Sequence, residues 1–297
     1  MTYVLFNPLS GNPTSFEAAM NRIRAQFSNA KFYDVRDVKD WKAFLSVLRA
    51  EDEICICGGD GTLNRFINDT EGISFFNEVY YCATGTGNDF LKDLGEEGIA
   101  PVCITSYIRD LPIVTVKGKS YRFLNGVGFG IDGYCCQVGD EQKKRSAKSV
   151  NYTAIAIKGL LFHYHPTNAR VTVDGKEYEY RKVWIAPTMH GRYYGGGMMP
   201  TPAQARTRTD GKNSLMLFHG SGKLHTLMVF PSLFKGEHLK HEKLVHVHEG
   251  EVIKVTFDRP VALQIDGETI LDVTEYEVVS AAAYEKNTAD AALPAKA

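Results

Sequence analysis

The chain has 297 residues, enough for one large domain or two of ordinary size. Its 34 basic and 35 acidic side chains leave a formal net charge of -1, so no basic excess favours nucleic-acid binding. The six cysteines form no Cys-x-x-Cys pair, which predicts reduced cysteines in a cytoplasmic protein rather than a zinc site or a disulfide frame. No run of residues approaches the length of an apolar membrane-spanning helix, so any membrane contact is expected to be peripheral.

Short apolar strands alternate with helical segments up to residue 112, a pattern that favours an open parallel sheet. Strands are predicted over 3–6, 30–35, 53–57 and 79–83 from their apolar runs. Helices are predicted between them, over 15–27, around Trp41–Leu48 and from 63 onwards. The first part of the chain is therefore expected to be a Rossmann-like three-layer α/β domain.

Residues 113–280 follow another pattern, in which short strands are joined by turn residues. Asp174-Gly175 and Asp266-Gly267 are typical of two-residue hairpin turns. One longer helical segment, 150–162, interrupts the strands. The pattern predicts a β-sandwich domain, followed by a flexible tail over 281–297 that is rich in alanine and polar residues.

Three loops rich in Gly, Ser, Thr and Asn follow predicted strands: Asn-Pro-Leu-Ser-Gly from residue 7, Gly-Gly-Asp-Gly-Thr from 58, and Gly-Thr-Gly-Asn-Asp from 85. Open α/β sheets bind ligands at the carboxyl ends of their strands. Glycines let backbone amides approach a phosphate closely, and a following helix N-terminus favours its negative charge. Asp60 and Asp89 would repel phosphate unless Mg²⁺ bridged them, so the pattern indicates a magnesium-nucleotide site. Ordinary turns, with Asp60 or Thr62 as helix caps, are the alternative.

Other motifs leave two interpretations open. Asp266-Gly267-Glu268 is either a hairpin turn alone or a turn that presents a carboxylate as general base. Asp210-Gly211 is either a turn or a metal-binding loop. Residues 128–133 match Gly-x-Gly-x-x-Gly, but no acidic residue lies between Glu141 and Asp174 to bind a ribose, so the match is interpreted as chance in a turn.

A basic run precedes the apolar segment 152–162. It comprises Lys143, Lys144, Arg145 and Lys148. Such a sequence could touch an anionic lipid surface, or it could be a solvated lead-in to a core helix.

Six segments together carry a family resemblance: 7–11, 58–64, 85–90, 123–125 (Phe-Leu-Asn), 191–197 (Gly-Arg-Tyr-Tyr-Gly-Gly-Gly) and 266–268. In this order they resemble the diacylglycerol kinase catalytic-domain family, in particular its soluble bacterial lipid kinases. Sphingosine and ceramide kinases are relatives. The Gly-Gly-Asp-Gly-Thr motif is shared with NAD kinases and phosphofructokinases, whereas segments 85–90 and 193–197 are more specific to lipid kinases.

The resemblance implies a nucleotide domain over 1–112, a β-sandwich lipid-substrate domain over 113–280, and an active site in the cleft between them. It implies transfer of the ATP γ-phosphate to the hydroxyl of a lipid such as diacylglycerol, with ATP and Mg²⁺ as cofactors. The residues expected to bind ATP are Asn7, Ser10, Gly11, Gly58, Gly59, Asp60, Gly61, Thr62, Asn64, Arg65, Thr86 and Asn88. Arg65 stands where the family usually has glutamate.

The resemblance also assigns the carboxylates. Asp60 and Asp89 are expected to organise Mg²⁺, and Asp210 to hold a structural Mg²⁺ with the carbonyls of Thr207 and Lys212. Asp60, Asp266 and Glu268 are the catalytic candidates, with one of the last two as base.

A cytoplasmic enzyme that visits the inner face of the membrane is expected, and a homodimer is a candidate assembly because family members often pair. The alternatives are a kinase of the same superfamily that acts on a soluble substrate, and a catalytically weak nucleotide- or lipid-binding protein.

Overall fold

The computed structural model describes residues 1–11, 13–85, 87–96, 100–145 and 150–292. The chain separates into two compact units, Met1–Asp110 and Leu111–Ala297. The first unit is an α/β fold and the second is built mainly from antiparallel strands, which confirms the predicted fold class.

The first unit contains a five-stranded sheet. Its strands are β1 (Thr2–Phe6), β2 (Ala30–Asp34), β3 (Glu53–Gly58), β4 (Glu78–Ala83) and β5 (Val102–Cys103). Their order is β2-β1-β3-β4-β5, and only β5 runs antiparallel to its neighbour. The chain passes from β1 outwards to β2 and then returns to β3 on the other side of β1. The carboxyl ends of β1 and β3 therefore form the topological switch point where such sheets bind ligands.

Within the described residues, four helices connect these strands and a fifth follows β5. They are α1 (Pro13–Gln26), α2 (Trp41–Ser46), α3 (Asp60–Asp69), α4 (Asp89–Leu94) and α5 (Thr105–Ile108), with a 3-10 turn at Val35–Asp37. The Asp40 carboxylate caps α2 by accepting from the amide of Ala43 at 2.8 Å. Cys55, Cys57 and Cys82 are buried against α1, as their apolar neighbours predicted.

The second unit contains a ten-stranded antiparallel sheet that folds over its own core. Its strands are β6 (Ile113–Val116), β7 (Lys119–Arg122), β8 (Gly126–Gly130), β9 (Thr167–Val173), β10 (Lys176–Val183), β11 (Ile185–Met189), β12 (Asn213–Phe218), β13 (Val245–Gly250), β14 (Val252–Ile265) and β15 (Glu268–Val279). The main order is β13-β12-β11-β8-β14-β15-β6-β7, with β9 on β14 and β10 on β9.

The long strand β14 joins the two parts of this sheet. Its first half pairs with β9 and its second half pairs with β8. The register with β15 shifts between Thr256 and Val261, and such irregularities bend a strand. The bend allows one strand to serve both faces of the sandwich.

The described part of the second unit also contains four helices. They are α6 (Ile131–Arg145), α7 (Tyr152–Lys158), α8 (Lys223–Val229) and α9 (Ala281–Ala292), with a π-helical turn at Gly159–His163 and 3-10 turns at Phe230–Lys235 and Glu237–Lys240. Trp184 packs with the inward side chains of α7 and α8. Within the described part of the chain, no helix has the length and apolar character to cross a membrane.

Two regions differ from the sequence-based expectations. Residues 128–133 lie at the junction of β8 and α6 rather than in a turn. Residues Ala281–Ala292, expected to be a flexible tail, form a helix because alanine has the highest helix propensity and Ser280 Oγ caps it by accepting from the amide of Ala283 at 3.2 Å. Residues 293–297 of the predicted tail lie outside the described residues.

Candidate functional site

The three glycine-containing loops of the first unit meet at the carboxyl ends of β1, β3 and β4. The amide of Asn7 donates to the carbonyl of Cys57 at 2.9 Å, and the amide of Thr84 donates to the carbonyl of Gly58 at 2.8 Å. Asn7 Nδ2 donates to Thr62 Oγ1 at 3.0 Å, which ties the first loop to the start of α3. The loops that the sequence predicted at one sheet edge are therefore in contact.

Close backbone contact explains the glycines in these loops. A Cβ atom on Gly85 would lie 2.8 Å from the Cα of Gly59, nearer than Cβ atoms approach other atoms. A Cβ on Gly11 would overlap the carbonyl oxygen of Thr84, and Gly11 has a positive φ of 75°. Any larger residue at these positions would push the loops apart, so the glycines hold three backbone segments together.

Asp60 links the second loop to the third. Its Oδ2 accepts from the amides of Asp89 and Phe90, at 2.8 and 3.3 Å, so it caps the start of α4. Its Oδ1 accepts from the hydroxyl of Tyr81 at 3.2 Å. Burial and the neighbouring Asp60 carboxylate raise the pKa of Tyr81 well above its usual value, so the phenol remains a donor. Asp60 is a helix cap, as one sequence interpretation held, but it caps the next helix rather than its own.

The oxygen atoms in this loop cluster suit Mg²⁺. Thr84 Oγ1 and Asn88 Oδ1 are buried and have no hydrogen-bond partner among the described residues. The backbone of Asn88 has the left-handed conformation, with φ 46°. Its Oδ1 is close to Gly85, since a Cβ atom on Gly85 would lie 3.3 Å from it. Mg²⁺ commonly takes one or two protein oxygen ligands and completes its shell with phosphate oxygens and water. Over the described ranges, no group of three or more His, Cys, Asp or Glu side chains is arranged around a metal position.

The other predicted nucleotide and metal residues have distinct positions. Asn64 is buried on α3 and accepts from Asn68 Nδ2, through its carbonyl at 2.9 Å and its side chain at 3.3 Å. Asp89 is also buried, at the first position of α4. Arg65 is exposed on α3, one turn beyond the exposed Gly61. Thr86 lies outside the described residues.

In the second unit, Asp266 occupies the turn between β14 and β15. Asp266 and Gly267 have positive φ angles of 46° and 90°, and Ile265 pairs with Glu268. This is the predicted two-residue hairpin. The Asp266 carboxylate accepts from three consecutive amides, those of Leu124 at 2.5 Å, Asn125 at 2.8 Å and Gly126 at 3.0 Å. Three such donors fix the orientation of the carboxylate. Glu268 is exposed at the start of β15.

Asn125 connects the motifs of the second unit. Its carbonyl accepts from the amides of His190 and Gly191, at 2.9 and 3.2 Å. Its side-chain oxygen accepts from the Arg206 guanidinium at 2.5 Å, and Arg206 also donates to the carbonyl of Leu124. Burial and the nearby Arg206 charge lower the pKa of His190 to about 3, so its imidazole is neutral. Segments 123–125, 191–197 and 266–268 are therefore one connected region.

The glycine block 195–197 is a tight loop in this region. The three glycines have φ angles of 60°, 81° and 105°, and Tyr194 and Met198 exchange two backbone hydrogen bonds of 3.0 Å. Only glycine adopts such a succession readily. The triple glycine therefore closes a defined turn immediately after Tyr194.

A buried carboxyl group lies behind the Asp266 turn. Asp132 Oδ2 accepts from the Tyr194 hydroxyl at 3.4 Å and from Gln264 Nε2 at 3.5 Å, and Gln264 Oε1 accepts from the amide of Gly267 at 2.9 Å. Burial raises the pKa of Asp132 to about 7, against the hydrogen bonds that lower it. A Cβ on Gly133 would overlap the carbonyl of Ala262, so glycine at this match to Gly-x-Gly-x-x-Gly serves packing.

The Asp210 loop does not fit the predicted structural Mg²⁺. Arg208 donates to both carboxylate oxygens of Asp210, at 2.5 and 2.9 Å, and to Glu249 Oε2 at 2.9 Å. The amide of Lys212 also donates to Asp210 Oδ1 at 3.3 Å. The hydrogen bonds from Arg208 lower the pKa of Asp210. A guanidinium thus already neutralises the carboxylate that was expected to ligate the cation.

Sequence reasoning missed four residues of these regions. Tyr81 was included only in a predicted strand, because nothing local distinguishes a tyrosine that bonds Asp60 from a core tyrosine. Thr84, between that strand and the third loop, was given no role. Asn125 was quoted within a motif but given no role. Arg206 lies in a polar loop, and its contacts with residues 124 and 125 are more than eighty positions away in sequence.

Two family models match the chain. Residues 1–114 match the diacylglycerol kinase catalytic domain, and residues 125–283 match the YegS C-terminal NAD kinase beta sandwich-like domain. The chain belongs to the family of lipid kinases that combine these two domains. Kinase chemistry, the transfer of a phosphoryl group, is the shared activity of that family.

Individual relatives agree with this assignment. A diacylglycerol kinase of Mycobacterium tuberculosis is 24% identical over 251 residues, which span 81% of this chain and 80% of the relative. A diacylglycerol kinase of Bacillus subtilis is 23% identical over 278 residues, 89% and 88% of the two chains. A crystal structure of a diacylglycerol kinase from Bacillus anthracis superimposes with a TM-score of 0.63 at 19% identity, covering 94% of each chain, which supports the fold.

Proposed function

We propose that this protein is an ATP- and Mg²⁺-dependent kinase that phosphorylates the hydroxyl of a lipid such as diacylglycerol. The observation that carries the proposal is the contact of three glycine loops around Asp60, at the switch point of a parallel sheet. The names of the relatives support diacylglycerol as the class of acceptor.

The first unit would bind the nucleotide. Helix α3 begins after Gly59 without a side-chain cap, so the amides of its first turn are suited to phosphate oxygens. The close packing of Gly11, Gly59 and Gly85 keeps side chains out of this edge. Arg65, exposed on the same helix, could add a guanidinium that pairs with phosphate.

The carboxylate of Asp60 and the buried amide oxygen of Asn88 are the groups that would hold Mg²⁺. When bound, the ion would neutralise charge on the phosphate oxygens during transfer. Asp60 is oriented for this role by its bonds to Tyr81 and to the start of α4. The chain thereby supplies a carboxylate that rotates little when the nucleotide arrives.

The second unit would supply the base for the acceptor hydroxyl. The hydroxyl proton passes to a carboxylate, the hydroxyl oxygen forms a bond to the γ-phosphorus, and the bond from that phosphorus to the departing ADP oxygen breaks. Asp266 is held in one orientation by three amides, and Glu268 projects from the same turn. An alcohol is a weak acid, so a positioned carboxylate assists by accepting the proton late in the transfer.

Purified protein with [γ-³²P]ATP, Mg²⁺ and a lipid extract tests the proposal. We expect label in a chloroform-soluble product. Label only in water-soluble acceptors would instead support a kinase for soluble substrates. Nucleotide binding with no transfer to either phase, with Asp60→Ala behaving like the wild type, would identify a binding protein and contradict the kinase proposal.

A further inference from the structure

Two helical segments of the second unit lie side by side and share a buried face. Segment 152–163 comprises α7 and the π-helical turn, and segment 223–235 comprises α8 and the following 3-10 turn. Their inward side chains pack in one cluster with Trp184, and Lys223 Nζ donates to the carbonyl of Leu161 at 3.2 Å. The two segments therefore form one continuous layer, whose opposite side we call the outer helical face.

Large apolar side chains project from the outer helical face. Phe162 is 68% exposed, Leu224 is 70% exposed and Met228 is 73% exposed. Leu224 and Met228 are one turn apart and so lie on the same side of α8. Ile157 and Phe234, each 43% exposed, extend the same apolar character along both segments. Apolar groups concentrated in this way mark interaction surfaces more often than single exposed residues do.

The two segments carry lysines and no acidic side chains. Neither segment 152–163 nor segment 223–235 contains an aspartate or glutamate, although the whole chain has 35 of them. Lysines are present instead, at positions 158, 223 and 235. The exposed end of α6, which packs against α7, adds Lys144 and Arg145. It also carries Lys143, which pairs with Asp140 at 3.5 Å, and the exposed Glu141. Lys148 of the same basic run lies outside the described residues.

We propose that the outer helical face docks on an anionic lipid bilayer. Helices with apolar side chains on one side and lysines around them bind in the plane of a membrane interface. The apolar side chains enter the boundary of the acyl chains, and the lysine ammonium groups reach the anionic headgroups. An identical face on a second copy would bring lysines against lysines, so charge favours the bilayer over self-association. The docking does not depend on phosphoryl transfer.

Vesicle flotation of the full chain tests this surface. The probes are vesicles of phosphatidylcholine alone and vesicles that also contain phosphatidylglycerol. The test variants are Leu224→Ser with Met228→Ser, and Lys158→Glu with Lys235→Glu. Phe76→Ser is the matched control, because Phe76 is 83% exposed in the first unit. Melting temperature and circular dichroism verify that each variant is folded.

We expect the wild type and Phe76→Ser to float with the anionic vesicles, and each double variant to bind at least about tenfold more weakly. High salt is expected to release the wild type. Absence of binding by the wild type would overturn the proposal, as would equal losses in the test and control variants. Sedimentation of a dimer that Leu224→Ser with Met228→Ser dissociates, without vesicle binding, would show that a second copy covers this face.

Discussion

Two aspartate–glycine turns of the second unit have similar backbone conformations, but their carboxylates bind the amides of different segments. Asp174 and Asp266 both have φ 46°, and each is followed by a glycine with positive φ. The carboxylate of Asp174 accepts from the amides of Glu251 and Val252, both at 2.9 Å. The carboxylate of Asp266 accepts from the amides of residues 124–126. In both places the carboxylate therefore ties a hairpin turn to the backbone amides of another segment of the chain.

The difference lies in what those neighbours contact. Glu251 connects β13 to β14, and Val252 is the first residue of β14. Asn125, in contrast, also accepts hydrogen bonds from the Arg206 guanidinium and from the amides of His190 and Gly191. The Asp266 turn therefore belongs to a hydrogen-bond network that joins three sequence motifs. Both turns connect two strands of a hairpin. What distinguishes the candidate catalytic turn at Asp266 from the structural turn at Asp174 is the loop that each carboxylate binds.

Replacing each aspartate by alanine gives the largest contrast. Asp266→Ala removes a proton acceptor and releases three amides, so we expect kcat to fall by about 10²- to 10⁴-fold. Asp174→Ala is the matched control and should leave kcat within about threefold, since its amides are at an exposed turn. Steady-state lipid phosphorylation measures both. Equal activity losses, or a larger loss for Asp174→Ala, would remove the functional distinction between the turns.

The carboxyl group behind the Asp266 turn predicts a pH-dependent stability. Burial raises the pKa of Asp132 to about 7, so the folded protein retains a proton that the unfolded chain releases above about pH 4. The stability that the protonated Asp132 carboxyl provides falls as pH rises from about 4 to about 7, and it is absent above about pH 7. Asp132→Asn cannot ionise, and we expect it to raise Tm by about 5 °C at pH 8 and little at pH 5.

Thermal unfolding at the two pH values measures this effect. Asp110→Asn, at an exposed position, is the control and should change Tm at neither pH. A Tm for Asp132→Asn that differs from the wild type by the same amount at both pH values would show that Asp132 does not titrate on unfolding.

A third aspartate–glycine pair, at Asp210, differs from the other two because its carboxylate binds a guanidinium. We expect Mg²⁺ and EDTA to leave the Tm of the nucleotide-free wild type unchanged, since Arg208 already neutralises Asp210 and Glu249. Arg208→Ala should lower Tm, by more at low salt than at high salt. A fall in wild-type Tm on adding EDTA would restore the structural Mg²⁺ that the sequence predicted.

The smallest expected effect concerns an exposed residue outside these turns. Arg65→Glu should raise the KM for ATP by about three- to tenfold and leave the lipid KM unchanged, because a carboxylate repels phosphate where a guanidinium attracts it. Arg65→Lys is the control that keeps the charge. Equal changes in both KM values would remove Arg65 from the nucleotide site.

The sequence predicted the features that depend on local patterns. Apolar runs located β1, β3 and β4, and the parallel arrangement placed the loops after them at one edge. The hairpins at 174 and 266 followed from the preference of Asp-Gly for positive φ. Strand β8 was missed because Gly-Val-Gly-Phe-Gly has few of the residues that favour strands.

The remaining features depend on contacts between distant parts of the chain. Tyr81 bonds Asp60 only because β4 lies beside β3, and Arg206 reaches Asn125 only in the folded second unit. Arg208 and Asp210 are close in sequence, yet their ion pair was not predicted. The sequence of a loop with several basic residues does not indicate which carboxylate each basic side chain will bind. These contacts form only in the folded chain.

The most direct test of the central claim is phosphorylation of one defined lipid. Diacylglycerol in mixed micelles, ATP and Mg²⁺ would be incubated with the wild type and with Asp60→Ala, and the lipid fraction analysed by mass spectrometry. We expect phosphatidic acid from the wild type and at least about a hundredfold less from a folded Asp60→Ala. Phosphatidic acid formed at the same rate by both proteins, or ATP consumed by the folded wild type with no phosphatidic acid formed, would contradict the proposed lipid kinase activity.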